Sequence, residues 1–292
     1  SITQPEISHQ LRDNKLNALE SGKPEVIVTA NIGCQTHLDG AGRTPVRHWI
    51  EIVEEAEGKL RSLRFGSTAR QSTMFTARPT ELALEYTRTM ASGLVFLPHQ
   101  PTRVLVLGLG GGSLPKFLLH HYPQCQVDVV EIRPAIAEVA NRFFGLPEPN
   151  DRFCLHLTDG LEFLESVAAS TYDLIFVDLH NANGMAPIVD AESFPQSCRK
   201  AMRGGGVAIY NLWFGVRPEQ EQRLSRRLDY TFDHLLRLPI AGKLNCVAFG
   251  LTKSEIDLAT LAGRSEMVGP KLGLDISSML IQLQKRHPQV LQ

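Results

Sequence analysis

The sequence predicts an α/β protein built on a doubly wound, mostly parallel sheet, with a smaller β-region ahead of it. Two observations carry this prediction. From residue 102 onward, short apolar runs alternate with segments of helical spacing, and the connections between them are short. The first of these runs is followed by glycines, and the later ones end at a carboxylate or a glycine. Such endings are typical of the ligand-binding edge of an open α/β sheet.

The composition indicates an ordinary globular protein. The 292 residues are 43% hydrophobic and 21% charged, which is enough for one large domain with a smaller addition. A net charge of −1 gives no electrostatic case for nucleic acid or an anionic membrane. No apolar run approaches the roughly 18 residues of a membrane span. The five cysteines are scattered singly, so we expect no disulfide framework and a cytoplasmic location.

Changes in pattern along the chain divide it into four regions. We predict a βα-type fragment over 1–54, a β-hairpin and helix over 55–101, the large α/β domain over 102–252 and a helical tail over 253–292.

The first hundred residues mix helical and strand-like patterns. We predict, in chain order, a helix over 5–20, a strand over 26–31, a short run over 45–52, a strand over 59–65 with a hairpin partner over 69–75, and a helix over 81–94. Gly66 and Ser67 form the predicted turn of the hairpin.

The large domain shows the clearest alternation. Its predicted elements are strand 104–107, helix 113–121, strand 126–131, helix 134–144, strand 153–158, helix 160–168, strand 173–178, helix 191–202, a turn at 204–206, strand 207–213, helix 218–232 and an antiparallel pair near 235–238 and 245–252. One or two amphipathic helices follow. The loop over 180–187 is long for a connection at a strand end, and such loops are usually functional.

The first strand of this domain leads into a possible nucleoside site. Gly108, Gly110 and Gly112 form a G-x-G-x-G loop, and the helix that starts at Ser113 directs its N-terminus over this loop. Glu131 ends the next strand, where a carboxylate can accept the hydroxyls of a ribose. Glycines in such a turn can also serve packing alone, so this loop is weak evidence when taken by itself.

The following strands strengthen the interpretation. One ends at Asp159 and Gly160, and the next ends at Asp178. Because the carboxyl ends of parallel strands lie at one edge of a sheet, Glu131, Asp159 and Asp178 are expected to converge. The alternative for Asp178 is a helix cap or an ordinary loop residue.

Several short motifs carry a family resemblance. They are LRFGS (63–67), RQS (70–72), EYTRTM (85–90), VLVLGLGGGSLP (104–115), VVEI (129–132), DG (159–160) and YDLIFVD (172–178). From about residue 58 to residue 252 the chain resembles the spermidine synthase-like branch of the class I S-adenosylmethionine-dependent transferases. The resemblance implies a Rossmann-like sheet preceded by a small β-region.

The resemblance also implies roles for the strand-end residues. The glycine loop and Ser113 would lie at the amino-acid part of S-adenosylmethionine or its decarboxylated form, with Gly160 beside the nucleoside. Glu131 would bind the ribose, and Asp159 would accept from the adenine amine. Asp178 would orient or deprotonate an acceptor amine, either of a small molecule or of a protein. We allow for a homodimer and expect no metal in this site.

Departures from the family pattern bear on the reaction. Polyamine synthases carry an aspartate where this chain has Ser113 and another where it has Asn181, and the stretch after Tyr86 lacks their glutamine and glutamate. Decarboxylated S-adenosylmethionine and polyamines are cationic, so a site for both needs several carboxylates. The sequence therefore predicts methyl transfer. Aminopropyl transfer and a non-catalytic nucleoside-binding role are the alternatives.

Residues 1–54 resemble a different family, the C-terminal end of the glycolate oxidase iron-sulfur subunit. The matching motifs are LRDNKL (11–16), TANIGCQTH (29–37) and PVRHW (45–49). Cys34 and His37 supply fewer than the four ligands that a structural zinc or a cluster usually needs. We therefore expect no working metal site here and expect the region to be dispensable for cofactor binding.

Overall fold

The structure is a computed structural model, and it describes residues 5–24, 27–29, 32–48, 50–55, 57–65, 70–181, 184–252 and 257–291. It confirms the predicted fold class. A seven-stranded mixed sheet of the Rossmann-like kind carries helices on both faces, and a three-stranded antiparallel sheet precedes it.

The N-terminal region is a small unit with a core of its own. It comprises α1 (Pro5–Glu20), β1 (Ile27–Thr29), α2 (Ile32–Asp39) and β2 (Val46–His48), and β1 pairs with β2 in parallel. Leu16, Ile27, Leu38 and Val46 form a buried cluster separate from the cores of the large domain. Helix α1 matches the prediction, whereas the ends of the predicted strand over 26–31 lie outside the described residues.

The small sheet has one strand more than the predicted hairpin. Strands β3 (Glu51–Glu55), β4 (Leu60–Arg64) and β5 (Arg70–Phe75) pair antiparallel in sequence order. Strand β3 was not predicted, because its five residues are mostly acidic and its stability as a strand comes from pairing with β4. The predicted turn at Gly66 and Ser67 lies outside the described residues.

The helix predicted over 81–94 is shorter. Helix α3 spans Glu85–Ser92 and continues as a 3-10 helix over Gly93–Phe96. The residues before it remain extended because Leu82 forms a β-bridge with Met74 of β5. This bridge ties the start of α3 to the small sheet.

The large domain follows the predicted alternation closely. Its elements are β6 (Arg103–Leu107), α4 (Ser113–His121), β7 (Gln126–Val130), α5 (Pro134–Phe144), β8 (Phe153–His156), α6 (Gly160–Ser166), β9 (Tyr172–Val177), β10 (His180–Asn181), β11 (Gly184–Met185), α7 (Ser193–Ala201), β12 (Met202–Trp213), α8 (Pro218–Thr231), β13 (His234–Pro239) and β14 (Asn245–Leu251). The sheet order is β13-β14-β12-β9-β6-β7-β8.

Strand direction determines where a ligand site can form. Strands β12, β9, β6, β7 and β8 run parallel, while β14 and β13 close one side as the predicted antiparallel pair. The carboxyl ends of the parallel strands therefore lie at one edge. The buried aliphatic and aromatic side chains of these strands form the cores on the two faces of the sheet.

Two predicted connections differ from the structure. The glycines over 204–206 do not form a turn before the strand but lie within β12, where the pairing with β9 shifts register between Met202 and Val207. A side chain at Gly206 would meet the carbonyl oxygen of Asp173 at 2.9 Å, so close backbone approach explains that glycine. The loop predicted over 180–187 contains the short pair β10 and β11.

Two helices end the chain, as predicted. Helix α9 spans Leu258–Leu272 and α10 spans Ile276–Arg286. Within the described ranges, no helix combines the length and apolar character needed to cross a membrane.

Helix α4 carries a buried lysine. The side chain of Lys116 is 4% exposed, and its Nζ donates to the carbonyl oxygen of Phe144 at 2.5 Å and lies 3.2 Å from Sδ of Met74. Burial lowers the pKa of Lys116 to about 8. The lysine therefore connects α4, the end of α5 and the small sheet, at an electrostatic cost.

This cost predicts a pH effect on stability. Between pH 8 and about pH 10.5 the unfolded chain holds the Lys116 proton while the folded chain has lost it, so the free energy of unfolding rises with pH in this window. This rise in the free energy of unfolding amounts to at most about 3 kcal/mol, and Lys116→Met should abolish it. Chemical denaturation at several pH values measures it, with exposed Lys271→Met as the matched control. The same pH dependence in wild type and Lys116→Met would contradict the assignment.

Candidate active site

A cavity of about 650 Å³ opens at the carboxyl edge of the parallel strands. The ends of β6, β7, β8 and β9 form its floor, and the small sheet, α3 and the connection between β13 and β14 form its walls. This volume lies in the range of small-molecule sites. Six of the eight predicted site residues line it: Gly108, Gly110, Glu131, Asp159, Gly160 and Asp178.

The glycine loop brings backbone to the cavity. Gly108 has a φ of +96°, and a Cβ on it would lie 2.3 Å from the carbonyl oxygen of Asp178. Its N–H donates to the carbonyl oxygen of Val130 at 2.9 Å. Only glycine combines this backbone conformation with such a close approach. Gly108 therefore sets the distance between the first and fourth parallel strands at the site.

Gly112 and Ser113 lie elsewhere in the loop. Gly112 is the residue before α4, and a Cβ on it would meet Leu146 at 2.7 Å. The hydroxyl of Ser113 lies 3.3 Å from that of Ser72 in β5. Neither residue is among the described residues that line the cavity. Their contact with a cofactor stays a prediction, and the contact with Ser72 was not predicted.

Glu131 holds the glycine loop through a hydrogen bond to its backbone. Its side chain is buried, and its two oxygens accept from the backbone N–H of Leu109 at 3.2 Å and of Arg133 at 3.0 Å. The guanidinium of Arg133 lies over the ring of Phe65 at 4.8 Å, so the small sheet also contacts this corner. Nε of Arg133 also lies 3.5 Å from Oε1. Since a carboxylate has about four acceptor positions, Glu131 retains capacity for a ribose hydroxyl on Oε2.

One carboxylate oxygen of Asp159 caps a helix, and the other is available to a ligand. Its Oδ1 caps α6 by accepting from the N–H groups of Leu161 at 2.8 Å and Glu162 at 3.3 Å. In the described part of the chain, Oδ2 has no hydrogen-bond donor. The helix cap orients the carboxylate, and the second oxygen can accept from a ligand amine.

Asp178 is held by residues from three different elements. Its Oδ1 accepts from Nδ2 of Asn211 at 2.8 Å, and its Oδ2 accepts from the hydroxyl of Tyr86 at 3.2 Å. Nδ1 of His180 lies 3.2 Å from Oδ1. Burial, together with the nearby Asp178 carboxylate, raises the pKa of Tyr86 well above its usual value, so the phenol remains a donor. Asp178 caps none of the described helices and lies in the connection between β9 and β10, and its role toward an acceptor stays a prediction.

Sequence reasoning undervalued the neighbours of Asp178. Tyr86 belongs to the EYTRTM motif, which carries the resemblance but assigned no role to the tyrosine, and Asn211 lies in a predicted strand without a predicted role. Both positions were accessible to inference, since Asn211 lies near the end of a parallel strand as Asp178 does. For the contact of His180 with Asp178, the only indication in the sequence is that His180 begins a long loop.

The charge of the lining is balanced. Four carboxylates and four cationic side chains line the cavity: Glu85, Glu131, Asp159 and Asp178, and Arg64, Arg70, Arg133 and Lys243. Arg64 and Arg70 both pair with Glu55 of β3. This balance differs from the excess of carboxylates expected around a polycation.

The lining fits a nucleoside donor. Besides the acceptor positions of Glu131 and Asp159, four lining residues carry buried polar atoms without a hydrogen-bond partner in the described structure: Arg64 Nε, Gln71 Nε2, His180 Nε2 and Trp213 Nε1. Apolar side chains such as Leu109 and Ile132 lie among them, and Ile132 is 59% exposed. An apolar surface beside strand-end carboxylates suits a base and a ribose.

This arrangement defines a Rossmann-like α/β protein with a small-molecule cavity at the carboxyl edge of its sheet. The family model "Spermine/spermidine synthase domain" matches residues 84–223. The polyamine aminopropyltransferase of Neisseria meningitidis serogroup A is 31% identical over 241 residues, which cover 82% of this chain and 90% of that protein. The chain therefore belongs to the spermine/spermidine synthase family.

Two further relatives extend the comparison. The human eEF1A lysine and N-terminal methyltransferase is 36% identical over 196 residues, which cover 61% of this chain but only 28% of that protein. The glycolate oxidase iron-sulfur subunit of Escherichia coli K12 is 77% identical over 56 residues, 19% of this chain and 14% of that protein. Both predicted resemblances are thus confirmed.

Solved structures agree with this fold. A probable spermidine synthase from Corynebacterium glutamicum superposes with a TM-score of 0.66 at 18% identity over 83% of this chain and 91% of that chain, which shows the fold alone. Human methyltransferase-like protein 13, in complex with SAH, gives a TM-score of 0.60 at 28% identity over 65% of this chain and 93% of that chain.

We predict that Glu131→Ala weakens nucleoside binding. The substitution removes the carboxylate that accepts from Leu109 and that has a free acceptor position for a ribose hydroxyl. The free energy of nucleoside binding should therefore weaken by about 1.5 to 3 kcal/mol. Titration calorimetry with S-adenosylhomocysteine and methylthioadenosine measures it. Exposed Glu165→Ala on α6 is the control. Unchanged affinity in Glu131→Ala would show that the ribose assignment is wrong.

Proposed function

We propose that this protein transfers an alkyl group from a sulfonium nucleoside to an amine, with Asp178 positioning the acceptor. The observation that carries the proposal is the placement of Asp178. Its carboxylate lines the cavity, 18% exposed, and is held by Tyr86 and Asn211. A carboxylate so held can accept an N–H of an amine and direct the nitrogen lone pair into the cavity.

Aminopropyl transfer is the first reaction we propose. The comparisons favour it over the methyl transfer predicted from the sequence, because the relatives that match most of this chain are named polyamine aminopropyltransferases. The structure also weakens the argument for methyl transfer. Ser113 and Asn181, whose missing carboxylates motivated it, are not among the described lining residues, while Glu85 beside Tyr86 does line the cavity.

Methyl transfer is the second candidate, and the balanced charge of the lining favours it. Arg64 and Arg70 line the cavity and share the single carboxylate of Glu55, so the pair keeps a net positive charge that could attract the carboxylate of S-adenosylmethionine. The human relative named as a methyltransferase supports this candidate over the shorter aligned segment.

The cavity residues divide into a group that would bind the donor and one residue, Asp178, that would bind the acceptor. The donor, when bound, supplies a carbon attached to a positively charged sulfur. Glu131, Asp159 and the backbone at Gly108 and Gly110 would hold its nucleoside part, while Asp178 would accept a proton from the acceptor. Since displacement at such a carbon requires alignment, fixed geometry at Asp178 is the main contribution of the protein.

A comparison of the two donors, each supplied separately, tests the proposal. Purified protein is given putrescine or spermidine with either decarboxylated S-adenosylmethionine or S-adenosylmethionine, and the products are quantified. Methylthioadenosine from the first donor supports aminopropyl transfer, and S-adenosylhomocysteine from the second supports methyl transfer. Tight nucleoside binding without either product across an amine panel would overturn the transferase proposal in favour of a non-catalytic binding role.

A further inference from the structure

The environment of Asp178 distinguishes its two oxygens. Oδ1 accepts from the amide of Asn211 at 2.8 Å and is approached by the ring of His180 at 3.2 Å. Oδ2 accepts only from the hydroxyl of Tyr86 among the described residues, at 3.2 Å. Each carboxylate oxygen has about two acceptor positions. The Asn211 amide and the His180 ring therefore crowd Oδ1, while Oδ2 keeps one position open.

A second contact determines which way the Asn211 amide faces. Its own oxygen accepts from Nδ2 of Asn245 at 2.8 Å, so its NH₂ group is directed to Asp178. A flipped amide would set an oxygen against the carboxylate and one NH₂ against another. Asn211 is buried, 5% exposed, and both asparagines line the cavity.

We propose that Asn211, oriented by Asn245, is a positioning residue that occupies Oδ1 of Asp178 and reserves Oδ2 for the acceptor amine. The inference rests on the proposed function for the identity of the acceptor. The hydrogen bonds themselves do not depend on it. Tyr86 can accommodate an amine at Oδ2, because its hydroxyl also lies 3.4 Å from the carbonyl oxygen of Gln71.

Other ionisable groups line the same cavity as Asp178. They are Tyr86 and Glu85 of α3, His180 of β10, Arg133 after β7, and Lys243 between β13 and β14. Comparing variants at Asn211 and Asn245 leaves all of these groups in place.

Three substitutions test the proposal through the pH profile of kcat/KM with one acceptor. Asn211→Leu removes the donor, and we expect kcat/KM to fall by about 10- to 100-fold. Asn211→Asp sets a second carboxylate beside the first, and the acid limb should move up by about one pH unit or more. Asn245→Asp leaves Asp178 untouched but favours the flipped Asn211 amide, so its acid limb should also move up.

Nucleoside binding and an activity-independent titration complete the test. Each variant should bind methylthioadenosine as wild type does, which shows that it is folded. Carbon NMR of labelled aspartate, assigned by difference from Asp178→Asn, follows the Asp178 carboxyl directly, and its midpoint should rise in all three variants. Unchanged midpoints would overturn the inference. Absence of turnover in wild type with shifted midpoints would overturn the proposed function alone.

Discussion

Asp178→Asn should lower kcat by about 10² to 10⁴, the usual contribution of a positioned proton acceptor. The substitution keeps the shape of the side chain but removes the negative charge toward which Tyr86 and Asn211 donate. The new amide oxygen can still accept from Asn211, but the NH₂ group then faces the Tyr86 hydroxyl, where the carboxylate had an acceptor oxygen. Steady-state kinetics with the donor that proves active gives the measurement.

Nucleoside affinity separates this effect from misfolding. Glu131 and Asp159 follow other strands, so calorimetry with methylthioadenosine should give nearly the wild-type affinity for Asp178→Asn. The exposed Asp151→Asn is the matched control and should behave as wild type in both assays. If Asp178→Asn kept kcat within about threefold, a role for Asp178 in handling the acceptor would be untenable.

Gly108→Ala should both destabilise the fold and abolish tight nucleoside binding. The added methyl group would lie 2.3 Å from the carbonyl oxygen of Asp178, and neither backbone can move without breaking the pairing of β6 with β9. The backbone conformation at φ +96° adds strain. We expect the free energy of unfolding to fall by about 3 kcal/mol or more.

Gly145→Ala separates strain from collision. Gly145 also has positive φ, at +66°, but a Cβ there meets nothing within 4 Å. Its substitution should cost only about 1 to 2 kcal/mol, the penalty of the left-handed conformation. Chemical denaturation of both variants gives the difference. Equal losses at Gly108 and Gly145 would show that the close approach to Asp178 has no energetic weight.

The sequence predicts the part of the site that is formed by residues following the parallel strands, and not the rest. Glu131, Asp159 and Asp178 each follow a parallel strand, and parallel strands share their carboxyl edge, so their convergence follows from topology. Ser113 shows the limit of this reasoning. It follows the same glycines, yet its hydroxyl lies beside Ser72 of the small sheet. The side-chain direction there depends on a sheet that packs over the loop.

The sequence by itself determined the alternation of strands and helices, the glycine loop and the acidic strand ends. These features repeat over a few residues, and local periodicity and backbone preference are enough to specify them. Only the tertiary structure decided which donors surround Asp178. Tyr86 lies 92 residues before it and Asn211 33 residues after it, and no local pattern relates them. They meet because α3 packs against the sheet and β12 pairs beside β9.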